Sequence, residues 1–257
     1  MSSADVTPVK SAERTVHILE TLAASPVKLT LAQLQERMGY PRSSLHALIR
    51  TLRELKWIEA DESGSAFGIG PQALVAGTSY LERDPALDLG TQTLEDLRAE
   101  IGCTAHYARR DDADVLYLAS REARTSTRMV SRVGRKLPAS VTALGQVLLA
   151  QLTPAELDKL LPAELPALTP ASITSKPELY AELEAIRSRG WSLEKEQGTP
   201  GIACIAVAVE YRIPATDAVS CSFSAEKATD AEVERIASAL VRHVSGLGTT
   251  LRRRGIR

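Results

Sequence analysis

Residues 31–57 read LAQLQERMGYPRSSLHALIRTLRELKW, and this stretch decides the fold. It divides into two short helices joined at Met38-Gly39-Tyr40-Pro41. Thr30, with Gln33 three residues on, makes a capping box for the first helix, in which each side chain satisfies an otherwise unpaired amide. Leu31, Leu34 and Met38 fall on one side of that helix. Gly39 suits the positive φ that stops a helix, and Pro41 suits the first turn of the next. In the second helix Leu45, Leu48, Ile49, Leu52 and Leu55 recur at helical spacing and predict one buried face. Arg42, His46, Arg50 and Arg53 form a separate stripe, with Ser43 and Ser44 near its amino end. A helix of this kind docks on a core and still offers a polar face to the DNA major groove. Its hydroxyl and guanidinium groups reach phosphates and base edges. A charged helical stripe is commonly only a solvated face; the pairing of the two helices is what favours DNA.

The surroundings extend this reading. Ser11–Ala24 is a third amphipathic helix, with Val16, Leu19 and Ala23 on one side. After Leu55 the chain turns polar, with Glu59, Asp61, Glu62, Ser63 and Gly64 between Trp57-Ile58 and Phe67-Ile69. That pattern predicts a short hairpin where a winged helix-turn-helix carries its wing. Next, Gly68–Arg83 opens on a Gly-Pro break and becomes a helix presenting Leu74, Val75, Tyr80 and Leu81, to be packed within the chain or at a dimer interface. Asp84-Pro85 closes it, and Leu87–Gly102 supplies another helix. The expected organisation is a winged helix-turn-helix DNA-binding domain over 1–70, a linker helix over 71–86 and a second domain over 87–257, which the family resemblance given below implies to be effector-binding.

Composition narrows the class. At 257 residues, 44% of them hydrophobic, the chain suits two domains with a sizeable core. No apolar run approaches the roughly 18 residues that span a bilayer, so no membrane partner is expected. The first ten residues, MSSADVTPVK, hold no apolar export segment, and Cys103, Cys204 and Cys221 form no CxxC, which together predict a reducing cytoplasm. The formal net charge of −1 gives DNA binding no bulk support, so the electrostatic footprint must be local to 42–56. Phosphate neutralisation dominates affinity for DNA, and a weakly basic module therefore implies a second copy on a two-part site. Aromatic residues at 4% argue against single-stranded RNA, whose recognition relies on stacking.

From Thr104 the period changes. Thr104–Arg109 and Asp114–Ser120 are strand-like, with Arg110–Ala113 as their turn. The DDAD of that turn lacks the glycine and distal Glu of a calcium loop. Thr125–Val133 is another strand candidate, followed by helices at Thr142–Leu152, Pro154–Leu161 and Lys176–Gly190, strands at Gly201–Tyr211 and Ala218–Ser224, and a helix at Thr229–Arg253. Strands and helices mix without βαβ alternation, which predicts an α+β fold with an antiparallel sheet. Alternation puts Cys204, Ala206 and Ala208 on one face and Ile205, Val207 and Val209 on the other. Ser220, Ser222 and Ser224 likewise share a face. Small side chains, a thiol and hydroxyls on one face are the makings of a pocket for a small polar ligand; the plainer reading is serines facing solvent. Ser140 or Thr142 can cap the following helix, whose amides at Ala143, Leu144 and Gly145 would attract a carboxylate.

Four segments resemble the IclR family of bacterial transcriptional regulators: GYPRSSLHALIRTL, the wing ending FGIGPQAL, SRVGRKLPASVTALGQVLLA, and GTPGIACIAV. The resemblance implies an N-terminal winged helix-turn-helix joined by a helical linker to a GAF-like antiparallel-sheet effector domain. It also implies homodimers or homotetramers that bind double-stranded operator DNA and respond to a small-molecule effector, often an organic or aromatic carboxylic acid. Carried over by position, the DNA contacts fall on Arg42, Ser43, Ser44, His46 and Arg50, and the effector contacts on Met129, Ala143, Leu144, Glu194, Cys204, Ser222 and Ser224. Three departures stand out. Ala47 replaces a common Arg, and Gln146 replaces a common Lys. The last hairpin is also about one residue longer than usual, which leaves Ser220/Ser222 as an alternative to Ser222/Ser224.

Two rival readings remain. Cys204 or Cys221 as an enzyme nucleophile needs a His base, and His17, His46, His106 and His243 are scattered through different elements, with His106 in the same domain as the cysteines. No nucleophile–base motif and no paired metal-ligand spacing is visible, so neither catalysis, a cofactor nor a metal is expected. The other rival is a ligand-sensing module that acts through protein contacts without DNA.

Overall fold

The computed structural model describes residues 8–123 and 133–256. The chain divides into two compact units, Met1–Arg83 and Asp84–Arg257. The first begins with α1 (Lys10–Ala24), strand β1 (Leu29–Thr30), α2 (Leu31–Met38) and α3 (Arg42–Glu54). Strands β2 (Ile58–Ala60) and β3 (Ala66–Ile69) and helix α4 (Pro71–Glu82) follow. The capping box is present: the Gln33 amide donates to Thr30 Oγ1 at 3.3 Å and the Thr30 amide to Gln33 Oε1 at 2.9 Å. Gly39 ends α2 with φ of +67°, a conformation costly for any residue with a Cβ. One core gathers Ile18, Leu22, Leu34, Leu45, Ile49, Leu52, Ile58 and Phe67.

Two expected faces shift. On α1 the buried residues are Ile18 and Leu22, with Leu19 partly packed, whereas Val16 is 51% exposed and Ala23 is exposed. Both sets satisfy a 3.6-residue period, and only contact with α3 and the wing decides between them. Leu55 is 59% exposed because it caps α3 and no longer follows the helical face.

The second unit runs α5 (Pro85–Ile101), β4 (Thr104–Asp111), β5 (Asp114–Arg121), β6 (Lys136–Pro138), a short 3-10 turn (Ala139–Val141) and α6 (Ala143–Leu149). Then come α7 (Pro154–Leu160), α8 (Lys176–Arg189), β7 (Ser192–Lys195), β8 (Ile202–Ala208), β9 (Asp217–Ser224) and α9 (Asp230–Arg253). Met129 and all but the last residue of the strand expected at Thr125–Val133 lie outside the described residues. Among the described residues the sheet is antiparallel, in the order β6-β5-β4-β9-β8-β7. Helices α5 and α9 pack on one face, where Gly90 is required because a Cβ there would lie 2.7 Å from the Tyr107 ring. The other face carries α6, on a floor of small side chains that includes Ala108, Ala206, Ala208 and Ala218. Gly145 lets α6 cross the 3-10 turn, since a Cβ would come within 2.2 Å of Ala139 backbone atoms.

A buried ion cluster ties one end of the sheet. Asp217 is fully buried and accepts from Arg109 Nε at 2.6 Å, Arg109 Nη2 at 2.7 Å, and the Tyr107 and Tyr211 hydroxyls, each at 2.6 Å. Arg109 Nη2 also lies 2.6 Å from Asp84 Oδ2, and Asp84 caps α5 through its other oxygen. Burial alone would raise the Asp217 pKa, but Arg109 and the two tyrosines hold it below the ordinary carboxylate value.

Candidate DNA-binding and effector sites

Helix α3 keeps Leu45, Ile49 and Leu52 in the core, which turns Arg42, Ser43, His46, Ala47, Arg50 and Arg53 outward. Ser44 is half-buried and accepts from Arg14 Nη1 at 3.1 Å. The Arg14 guanidinium lies 5.0 Å from the centroid of Tyr40, whose hydroxyl pairs with His17 Nδ1 at 2.7 Å. The amino end of α3 is thereby braced to α1, and Ser44 serves the brace while Ser43 does not. Arg53 leans over the Phe67 ring at 5.9 Å, which leaves Arg42, His46 and Arg50 as the outward cationic and polar set. In the wing, the Asp61 carboxylate accepts from the Ser65 amide at 2.8 Å, the Ala66 amide at 3.0 Å and Ser63 Oγ at 2.8 Å. The Ala66 amide is the main reason its pKa falls below the ordinary value. With Glu59 and Glu62, the hairpin tip is acidic, whereas α3 carries Arg42, Arg50 and Arg53 on its exposed side.

In the second unit, register brings the expected pocket residues together. Cys204 stands opposite Glu194 on one side and Ser222 on the other, with Cys204 Sγ 3.2 Å from Ser222 Oγ. One row along, Ser192, Ala206, Ser220, His106 and Ser120 are successive partners from β7 to β5. Ser222 stands in the Cys204 row, with Ser220 opposite Ala206 on one side of it and Ser224 opposite Ile202 at the strand end on the other. Over this face stands α6. Thr142 caps it by accepting from the Gly145 amide at 3.0 Å, which takes up one of the three amides expected to be free. Ala143 and Leu144 are buried against the same core.

The chemistry of the face is polar. Gln146, where a lysine is common, donates to the Ser140 carbonyl at 3.0 Å and to Gln197 Oε1 at 2.8 Å, and accepts from Ser192 Oγ at 3.0 Å. Glu194 is 3% exposed; burial pushes its carboxyl up to about 7, against the hydrogen bonds from Cys204 and the amides of Gln197 and Gly198. Burial, and then the Glu194 carboxylate, raise the Cys204 thiol above its usual value and keep it protonated. Burial pushes His106 down to about 4, so its imidazole is uncharged at neutral pH. His106 is absent from the residues carried over by resemblance, and Ser220 entered only as the alternative register. Alternation placed Ser220 on this face, but nothing local in the sequence shows that β4 is the neighbour of β9.

Two units of this kind define a winged helix-turn-helix regulator with a separate sensor domain. The chain matches the IclR helix-turn-helix domain over residues 11–62 and the bacterial transcriptional regulator IclR C-terminal domain over residues 78–246. It belongs to the IclR family of bacterial DNA-binding transcriptional regulators, which join such a domain to a C-terminal effector domain. Among relatives it is similar to the HTH-type transcriptional regulator XynR of Escherichia coli (strain K12), 29% identical over 229 residues that cover 88% of this chain and 90% of XynR. The IclR transcriptional regulator of Alicyclobacillus acidocaldarius shares the fold with a TM-score of 0.82 at 24% identity, over 95% of this chain and 99% of that one. An IclR homologue from Microbacterium hydrocarbonoxydans, solved with 4-hydroxybenzoate, has a TM-score of 0.79 at 21% identity, over 94% of this chain and 99% of that one.

Proposed function

We propose that α3 reads operator DNA through Arg42, Ser43, His46 and Arg50, with Ser44 positioning the helix, and that an organic or aromatic carboxylic acid bound in the second unit modulates this. The observation that carries the reading is the buried polar face of β8 and β9, in a unit distinct from the exposed cationic stripe of α3. Glu194, Cys204 and Ser222 form the polar end of the effector site, Ala143 and Leu144 its apolar wall, with Ser220 and Ser224 along the strand and Met129 as a further contact. That the relative from Microbacterium hydrocarbonoxydans was solved with a hydroxylated aromatic acid supports this ligand class. The regulator works as a homodimer or homotetramer in the cytoplasm, with 71–86 linking its DNA-binding and effector-binding domains. Cys204 has no nucleophilic role in this reading: burial raises its thiol pKa and Ser222 Oγ lies 3.2 Å from its sulfur. Effector binding shifts the balance between assembly geometries that fit and do not fit the two half-sites.

The test is salt-dependent binding of the purified chain to the DNA upstream of its own gene, with and without simple acids. Arg42→Ala and Arg50→Ala should weaken binding and lower the salt slope by about one for each phosphate that is no longer neutralised. Ser222→Ala should blunt the response to acids and leave DNA affinity intact. If the wild type prefers no duplex at modest ionic strength, the reading gives way to a sensor acting through protein contacts.

A further inference from the structure

The polar face has two ends. Near β7 and β8 lie Glu194, Cys204 and Ser222; across the sheet, on β4, lies His106. His106 is 2% exposed, its Nδ1 is held by Ser120 Oγ at 2.7 Å, and its ring sits edge-on to Tyr117 with centroids 5.5 Å apart. Its Nε2 is fully buried and has no hydrogen-bond partner among the described residues. A buried polar atom without a partner is costly, and most such atoms in folded proteins are satisfied by protein, water or ligand. The ring cannot easily turn away, because Ser120 and Tyr117 fix its orientation.

We propose, resting on the acid-sensing reading above, that His106 is the specificity-determining residue of the effector site and that it selects acids carrying a second, uncharged polar group, a hydroxyl above all, at the end remote from the carboxylate. His106 stands opposite Ser220, one strand over and two residues along from Ser222, which puts their Cα atoms about 8 Å apart at the usual strand spacing and rise. A six-membered ring, or a chain of four to five carbons, between carboxylate and hydroxyl spans that interval. A neutral imidazole offers either an N–H or a lone pair at Nε2, depending on which proton Ser120 shares, and a hydroxyl pairs with both. An acid lacking the group leaves Nε2 unpaired and loses affinity by the same physics that discriminates hydroxylated from plain substrates in polar sites.

The experiment titrates the purified full chain with benzoate, phenylacetate and hexanoate, each against its form hydroxylated at the far end. Wild type should bind at least one hydroxylated acid about tenfold more tightly than its parent, a ratio in keeping with one hydrogen bond. His106→Leu should bring that ratio near one and keep the affinity for the parent acid. In parallel, the Nε2 nitrogen resonance of wild-type His106, assigned by replacing His17, His46 and His243 in turn, should move with the hydroxylated acid and not with its parent. Parent acids that bind with no hydroxyl preference, a ratio unchanged in His106→Leu, or an unmoved Nε2 resonance would overturn this inference and leave acid sensing in place. Binding of no acid at all removes both readings.

Discussion

Replacing Glu194 with Gln isolates one buried carboxyl and its proton. The folded chain holds this carboxyl at about 7 against an ordinary 4.5, with burial as the main cause. Between those values the folded state keeps a proton that the unfolded chain has released, so stability is fullest below about pH 4.5 and falls as pH rises toward 7. That gap, at about 1.4 kcal/mol for each pH unit, amounts to about 3 kcal/mol. The groups around Glu194 are the Cys204 thiol, the amides of Gln197 and Gly198, and the Glu196 carboxylate, so no cation offsets the loss among the causes that act on it. Urea unfolding of wild type and Glu194→Gln at pH 4.5, 5.5, 6.5 and 7.5 reads this directly, because every other titration cancels in the difference. The wild type should lose about 3 kcal/mol relative to the variant across the series. A difference that stays flat, or that favours the wild type as pH rises, refutes the claim that Glu194 is buried without a counter-charge.

Other perturbations test the rest of the framework. Asp217→Ala takes one buried carboxylate from Arg109 and orphans the Tyr107 and Tyr211 hydroxyls, so it should cost about 4 kcal/mol and lower the melting temperature by roughly 10 °C in calorimetry; a loss under about 1 kcal/mol would show the cluster to be dispensable. Gly145→Ala forces a methyl into Ala139 backbone and should cost about 3 kcal/mol in chemical unfolding, whereas a neutral result would mean that α6 can lift from the 3-10 turn freely. Leu45→Ala opens a cavity at a fully buried position and should cost about 2–5 kcal/mol; hydrogen exchange should quicken in α3 and leave α6 unchanged.

The first unit was legible because its signals are local. The Thr30–Gln33 box, Gly39 and the period of Leu45, Ile49 and Leu52 each act within a few residues, and all three are present in the fold. Alternation likewise sorted Cys204 and Ala206 from Ile205 and Val207, and the register set Ser220 and Ser222 beside them. What sequence pattern missed depends on distant pairing. Tyr107 meets Asp217 across 110 residues, and His106 reaches the serine face only because β4 lies against β9. Strand β7 was overlooked because SLEK is short and polar and pairs with β8 alone among the described residues. Val16 and Leu55 show the reverse error, where an apolar residue at helical spacing lies just off the arc that packs.

Helix α4 carries no buried side chain, and its Leu74, Val75 and Tyr80 are 70%, 60% and 49% exposed. Twelve residues seldom remain helical in water without tertiary support. Its order is then bound up with whatever covers it, and in an assembly of like chains that makes the helix subject to mass action. Dilution would fray it first, and an apparent melting temperature would climb with protein concentration.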